Sequence, residues 1–137
     1  MSKENVEMIR GVYKAAAARD KAKPLAALCD PGVELDVSQA GWGDLTGQTD
    51  YHGHDGLRTV LKEWYGAWED YEDHLEDLVD AGDKVVALVT SRGRGRASGV
   101  PVELKTPAVW TIREGKIVRV AWFQTPAQAL EAAGLSE

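Results

Sequence analysis

The stretch "VWTIREGKIVRV", Val109 to Val120, carries two apolar-rich runs on either side of "REGK" (Arg113 to Lys116), a four-residue turn signal. After the turn, Val118, Val120 and Trp122 share one face, and Arg119 marks the other as solvent-facing. The pattern predicts a hairpin of strands Val100 to Ile112 and Lys116 to Gln124. Upstream, "DAGD" (Asp80 to Asp83) joins candidate strands Tyr71 to Val79 and Lys84 to Arg92, and a Gly/Arg/Ser connection around Ser98-Gly99 links the two pairs. Strands spaced as hairpins form an antiparallel meander. Trp110 falls on one side of its strand with Leu104, Ala108 and Ile112, a side expected to face inward.

The half before the meander is mainly helical. Residues Lys3 to Arg19 place Val6, Ile9, Tyr13 and Ala16 or Ala17 at helical spacing, and a short helix from Pro24 to Leu28 stops at "DPG" (Asp30 to Gly32). A strand follows, with Val33, Leu35 and Val37 on one face and Glu34 and Asp36 on the other. The segment Ser38 to His54 reads as a long loop carrying Trp42 and Tyr51. A third helix, about Asp55 to Trp68, stripes Leu57, Leu61, Trp64 and Trp68 along one side. A last helix opens at Thr125-Pro126, with threonine as N-cap, proline in the first turn and Gln128 completing a capping box. Helices followed by a curled antiparallel sheet make an α+β fold. A bent sheet under N-terminal helices leaves a conical central cavity at its concave face.

Length and composition set limits on function. At 137 residues the chain suits one domain, residues 1–137, with a real core. A net charge of −6 argues against a nucleic-acid partner, because phosphate binding needs a basic footprint. No apolar run has the length of a membrane span, and "MSKENVEMIR" has no signal-peptide core, so a cytoplasmic address is expected. A single cysteine, Cys29, rules out an internal disulfide or a multi-cysteine metal site. Five tryptophans suit a ligand cavity or a subunit interface, since each indole N–H wants a partner when buried.

The order helix, helix, strand, loop, helix, four-strand meander resembles the nuclear-transport-factor-two-like superfamily. "NVEMIRGVYKA" (Asn5 to Ala15), "YHGHDGLRTVLKEW" (Tyr51 to Trp64), "DAGDKVVALV" (Asp80 to Val89), the hairpin quoted above and "QALEAAGL" (Gln128 to Leu135) narrow the resemblance to its SnoaL-like branch, which includes polyketide cyclases and lies close to ketosteroid isomerases. The resemblance implies a cone fold, a small hydrophobic ring-containing ligand, no cofactor, no metal and a homodimer paired through the outer sheet face. It places Tyr13 and Asp36 where ketosteroid isomerases keep an oxyanion tyrosine and a general-base aspartate. It also favours Val109 over Trp110 as the inward residue. The isomerases' second oxyanion acid falls at Val109, and the histidine of many SnoaL-like relatives falls at Ala108, so both conventional partners are missing.

Other residues carry weight on their own pattern. Asp73 interrupts the apolar face of Tyr71, Leu75 and Val79, which makes it a cavity-wall acid unless a bulge turns it to solvent. Asp36, Tyr13 and Asp73 are therefore the catalytic candidates. Trp42, Trp64, Trp68, Trp110, Trp122 and Gln124 are the expected ligand contacts, with Trp42 at the cavity mouth. His52 and His54 sit at a helix entry and do not read as a metal site, and "RGRGR" (Arg92 to Arg96) reads as an exposed strand end. Two functions follow: cofactor-independent acid/base chemistry of the isomerase, cyclase or dehydratase type, or a non-catalytic binding or interaction domain with an aromatic-filled cavity.

Overall fold

Turn chemistry sets the frame. Glu114 (φ 51°) and Gly115 (φ 75°) both take the left-handed conformation of a two-residue hairpin turn, and Gly82 (φ 82°) serves the same purpose in the preceding hairpin. A computed structural model describes residues 2–15, 22–40 and 49–135. In chain order these hold α1 (Ser2–Ala15), α2 (Ala22–Leu28), β1 (Cys29–Gln39), β2 (Asp50–His52), α3 (Gly53–Gly66), β3 (Trp68–Ala81), β4 (Lys84–Gly95), β5 (Pro101–Lys105), β6 (Ala108–Arg113), β7 (Lys116–Phe123) and α4 (Pro126–Ala132).

The strands form one curved sheet in the order β2-β1-β7-β6-β4-β3, with β5 alongside β4. The expected all-antiparallel sheet is corrected in one place: β1 runs parallel to β7, so the sheet is mixed. A parallel neighbour needs a long crossover, and here the whole stretch from β2 to β6 supplies it. The short helix ends at Leu28 as read, but "DPG" is not a separate turn after it. It lies inside β1, where a register shift between Cys29 and Glu34 absorbs it and the Gly32 N–H donates to Asp30 Oδ2 at 2.8 Å. Part of the expected Ser38–His54 loop is also strand, because β2 pairs with β1.

Two further boundaries moved. The strand expected over Val100 to Ile112 breaks at Thr106-Pro107, where proline has no N–H for a ladder. The break lets β5 pair with one half of β4 and β6 with the other. The third helix stops at Gly66, so Trp68 opens β3 and does not extend the helical stripe. Arg96 closes that helix end by donating to the carbonyls of Gly66 (2.9 Å) and Trp68 (2.8 Å). The capping box of α4 forms as read, with Thr125 Oγ1 accepting from the Gln128 N–H.

Register assigns the two faces. Leu35, Val120, Trp110 and Val85 are neighbours across four strands and belong to the core that also contains Ile9, Leu57 and Tyr51. The adjacent row, Asp36, Ala121, Val109 and Val86, faces the other way. There Val86 and Val109 pack with Ala129 of α4. Trp110 is thus the inward residue and Val109 the outward one, as the alternation read and contrary to the isomerase comparison.

Candidate functional site

On the inner face, Asp73 is the centre of a hydroxyl cluster. It stands directly across from Ser91 in the β3–β4 ladder. Register shifts lie on both sides of it, between Glu69 and Glu72 and between Leu75 and Asp77, so Tyr71, Asp73 and Leu75 keep a common face. Three hydroxyls reach its carboxylate: Tyr71 at 2.6 Å and Ser91 at 2.7 Å, both to Oδ1, and Tyr65 at 3.4 Å to Oδ2. Ser91 Oγ also lies 2.6 Å from Thr106 Oγ1. Because the single Ser91 proton goes to Asp73, Thr106 is the donor in that contact. Among the described residues, Oδ1 takes two short bonds and Oδ2 one long contact.

Aromatic rings surround this carboxylate. Tyr65 and Tyr71 pack edge to face at 5.0 Å, and Trp64 meets Tyr71 at 5.8 Å in the same manner. Gly93 of β4 makes room for them, since a Cβ there would sit 3.2 Å from the Tyr71 ring and 3.4 Å from Trp68. On the α1 side, Tyr13 packs edge to face on Trp110 at 5.9 Å and accepts a hydrogen bond from its indole N–H at 3.2 Å. The Tyr13 phenolic proton has no acceptor among the described residues. Trp122 packs on the far side of Trp110 at 6.4 Å.

Electrostatics tie Tyr13, Tyr65 and Tyr71 to Asp73. Burial first, and then the charge of Asp73, push all three phenols above the ordinary tyrosine value. They stay protonated at neutral pH and act as donors, not as bases. Among the described residues the arrangement therefore offers a carboxyl oxygen held by one long contact and a phenol whose proton has no acceptor, both beside aromatic rings.

Asp36 is placed elsewhere. It lies on the outer face with its carboxylate 2.8 Å from the Arg119 guanidinium, and it also accepts from the Ser38 hydroxyl (2.6 Å) and N–H (2.8 Å). Partial burial pushes its carboxyl upward, but the Ser38 bonds and the Arg119 charge outweigh this and hold it below the ordinary carboxylate value. The expected pairing of Asp36 with Tyr13 is not formed: alternation in β1 sends Leu35 and Val37 to the core and Asp36 away from it. Asp36 instead lines a shallow outer depression of about 250 Å³ with Glu34, Asp50, His52 and Arg119.

Other expected contacts divide between the faces. Trp64, Trp110 and Trp122 lie on the inner side. Trp68 borders the cluster from β3, with its indole N–H buried and unpaired among the described residues. Gln124 is exposed beyond the end of β7, where its N–H donates to the Gln128 side chain, so it does not continue the inner face. Trp42 lies outside the described residues. His54 contacts the Cys29 carbonyl at 3.1 Å, and His52 contacts Asp50 at 3.3 Å. Sequence reasoning missed Tyr65, Ser91 and Thr106. For Ser91 a signal existed, because Val85, Ala87 and Val89 alternate inward and Ser91 is the next position on that face.

Comparison with known proteins agrees with this architecture. The SnoaL-like domain model matches residues 9–120. Among solved structures, an NTF2-like protein from Burkholderia thailandensis is 26% identical, with 94% of each chain covered and a TM-score of 0.75. An NTF2-like protein of unknown function from Burkholderia pseudomallei is 20% identical, with 93% of this chain and 95% of that one covered and a TM-score of 0.77. A candidate SnoaL-like polyketide cyclase from Jannaschia is 16% identical, with 96% and 92% covered and a TM-score of 0.75. No curated protein matches. With the family match running over most of the length, from α1 into β7, the chain belongs to the SnoaL-like domain family.

Proposed function

We propose that the inner face holds a small, hydrophobic, ring-containing molecule and that Asp73, not Asp36, is its acid/base group. The observation that carries this reading is the asymmetry at Asp73, with Oδ1 fixed by Tyr71 and Ser91 and Oδ2 left, among the described residues, to a single long contact. Oδ2 is the oxygen free to take a proton from a carbon next to a carbonyl. Tyr13, whose proton has no acceptor among the described residues, is the donor for the oxygen on which charge then develops. Trp110 fixes the Tyr13 hydroxyl from behind, and Trp110 and Trp122 form the apolar wall against which rings stack. Isomerisation, cyclisation and dehydration all begin with such a proton transfer, and none of them requires a cofactor.

The test is solvent deuterium exchange at the carbon next to the carbonyl of a panel of fused-ring ketones, followed by proton NMR. The wild-type protein is expected to accelerate exchange of at least one, and Asp73→Asn to reduce the acceleration by about 10²- to 10⁴-fold. Asp36→Asn leaves it unchanged. Acceleration that survives Asp73→Asn and is lost in Asp36→Asn overturns the assignment. A homodimer through the outer face is proposed with it, resting on the family resemblance, since α4 already covers the apolar centre of that face. Sedimentation at micromolar concentration should give twice the chain mass, and a monomer removes the dimer.

A further inference from the structure

We propose that Thr106 is a positioning residue for the base: acting through Ser91, it keeps Asp73 Oδ1 occupied and leaves Oδ2 as the oxygen that meets the ligand. This rests on the reading above, that Asp73 is the acid/base group, and adds the residue that decides which of its two oxygens works.

Thr106 lies at the break between β5 and β6. Its N–H donates to the Val89 carbonyl at 2.9 Å, which ties it to β4 beside Ser91. Thr106 is 6% exposed and Ser91 2%, so each hydroxyl needs a partner inside the protein. Among the described residues the Thr106 hydroxyl has a single partner, Ser91 Oγ at 2.6 Å. The alternate positions on either side of it, Leu104 and Ala108, are apolar. Packing alone would be served by valine, which has the same branched shape and no hydroxyl.

The direction of the hydrogen bonds gives that hydroxyl its use. Ser91 has one proton and three oxygens within reach: Asp73 Oδ1 at 2.7 Å, Thr106 Oγ1 at 2.6 Å and the Tyr71 hydroxyl at 2.9 Å. Ser91 is the only acceptor for the Thr106 proton among the described residues, so Thr106 donates and the Ser91 proton goes on to Asp73. Accepting that bond also makes Ser91 a stronger donor, because hydrogen bonds in a chain polarise one another. Without it, Ser91 is free to turn its proton to Tyr71, and Oδ1 then keeps one donor instead of two. With both donors in place, a proton leaving carbon is received by Oδ2. The electron pair of the broken C–H bond passes toward the carbonyl oxygen beside Tyr13.

Hydrogen exchange of 2-tetralone in deuterium oxide, followed by proton NMR over a range of ketone concentrations, gives kcat and KM for the full chain. Thr106→Val is expected to lower kcat about three- to ten-fold, with KM within about two-fold of the wild type. Thr106→Ser keeps the hydroxyl and loses a methyl, and should hold kcat within about two-fold of the wild type. A loss in Thr106→Ser equal to or greater than that in Thr106→Val is the order packing would give, and it overturns the proposal. So does an unchanged kcat in Thr106→Val, and in both cases the assignment of Asp73 stands. A second readout needs no turnover. Ser91→Ala leaves the Thr106 hydroxyl buried without its partner, so in urea denaturation the double variant with Thr106→Val is expected to be at least as stable as Ser91→Ala alone. Additive losses overturn the Thr106–Ser91 chain. No exchange by the wild type with 2-tetralone or any other ketone of the panel overturns the acid/base reading, and the role of Thr106 with it.

Discussion

Tyr71→Phe isolates the hydroxyl that does most to hold Asp73. The substitution removes one oxygen and keeps the ring, so the packing against Trp64, Tyr65 and Trp68 at 5.8, 5.0 and 6.3 Å is preserved. The bond from Tyr71 to Asp73 Oδ1, at 2.6 Å, and the 2.9 Å contact with Ser91 are lost together. A hydrogen bond to a charged group is worth roughly 1.5–3 kcal/mol, and leaving the carboxylate less satisfied pushes the cost toward the upper end. A loss of about 2 kcal/mol in a domain of this size lowers Tm by roughly 6–10 °C. Urea denaturation read by circular dichroism, with m unchanged, measures it directly. Ser91→Ala should cost about as much, and the double variant less than the sum by about 1 kcal/mol, because both donors serve the same oxygen. A Tyr71→Phe effect below about 0.5 kcal/mol, or strict additivity with Ser91→Ala, would refute the view that the hydroxyl cluster fixes Asp73.

Four other outcomes are expected. Gly93→Ala presses a methyl against Tyr71 and Trp68, so it should destabilise by about 1–3 kcal/mol in the same denaturation assay and weaken ligand binding. Trp68→Phe removes a buried N–H with no partner among the described residues while keeping a ring, and should cost less than about 1 kcal/mol, where a paired tryptophan would cost more. Asp36 has a depressed folded-state pKa, so its contribution is complete above the ordinary carboxylate range and disappears as pH falls below it. Arg119→Ala should therefore lower stability at pH 7 and make less difference at pH 2, as followed by thermal melts. Cys29 is 3% exposed and its thiol is pushed up to about 11, chiefly by burial, so it should resist thiol reagents at pH 7.5 until the chain is unfolded.

The elements most legible in the sequence were those set by local chemistry. The "REGK" hairpin, the Thr125–Gln128 capping box and the alternation of Val33, Leu35 and Val37 each depend on residues a few positions apart. The strand break at Thr106-Pro107 had its signal in the proline. What local pattern cannot encode is the pairing of distant segments. The parallel contact of β1 with β7 and the Asp73–Ser91–Thr106 chain, which joins β3, β4 and the break between β5 and β6, arise only when the sheet closes. Asp36 and Asp73 show the contrast well. For each, simple alternation points to the observed face, outward for Asp36 and inward for Asp73. The resemblance to isomerases pulled Asp36 inward, although its own strand opposed that and no catalytic partner stood at Ala108 or Val109. Arg119, the residue that claims Asp36, is 83 positions away.

The most direct test of the account is a crystal structure of the protein soaked with a tetralone, a fused-ring ketone with an acidic carbon beside its carbonyl. The account predicts ring density against Trp110 and Trp122, the carbonyl oxygen within hydrogen-bond reach of the Tyr13 hydroxyl and the adjacent carbon facing Asp73 Oδ2. Density confined to the outer depression beside Asp36 and Arg119, with the surroundings of Asp73 unoccupied, would contradict it.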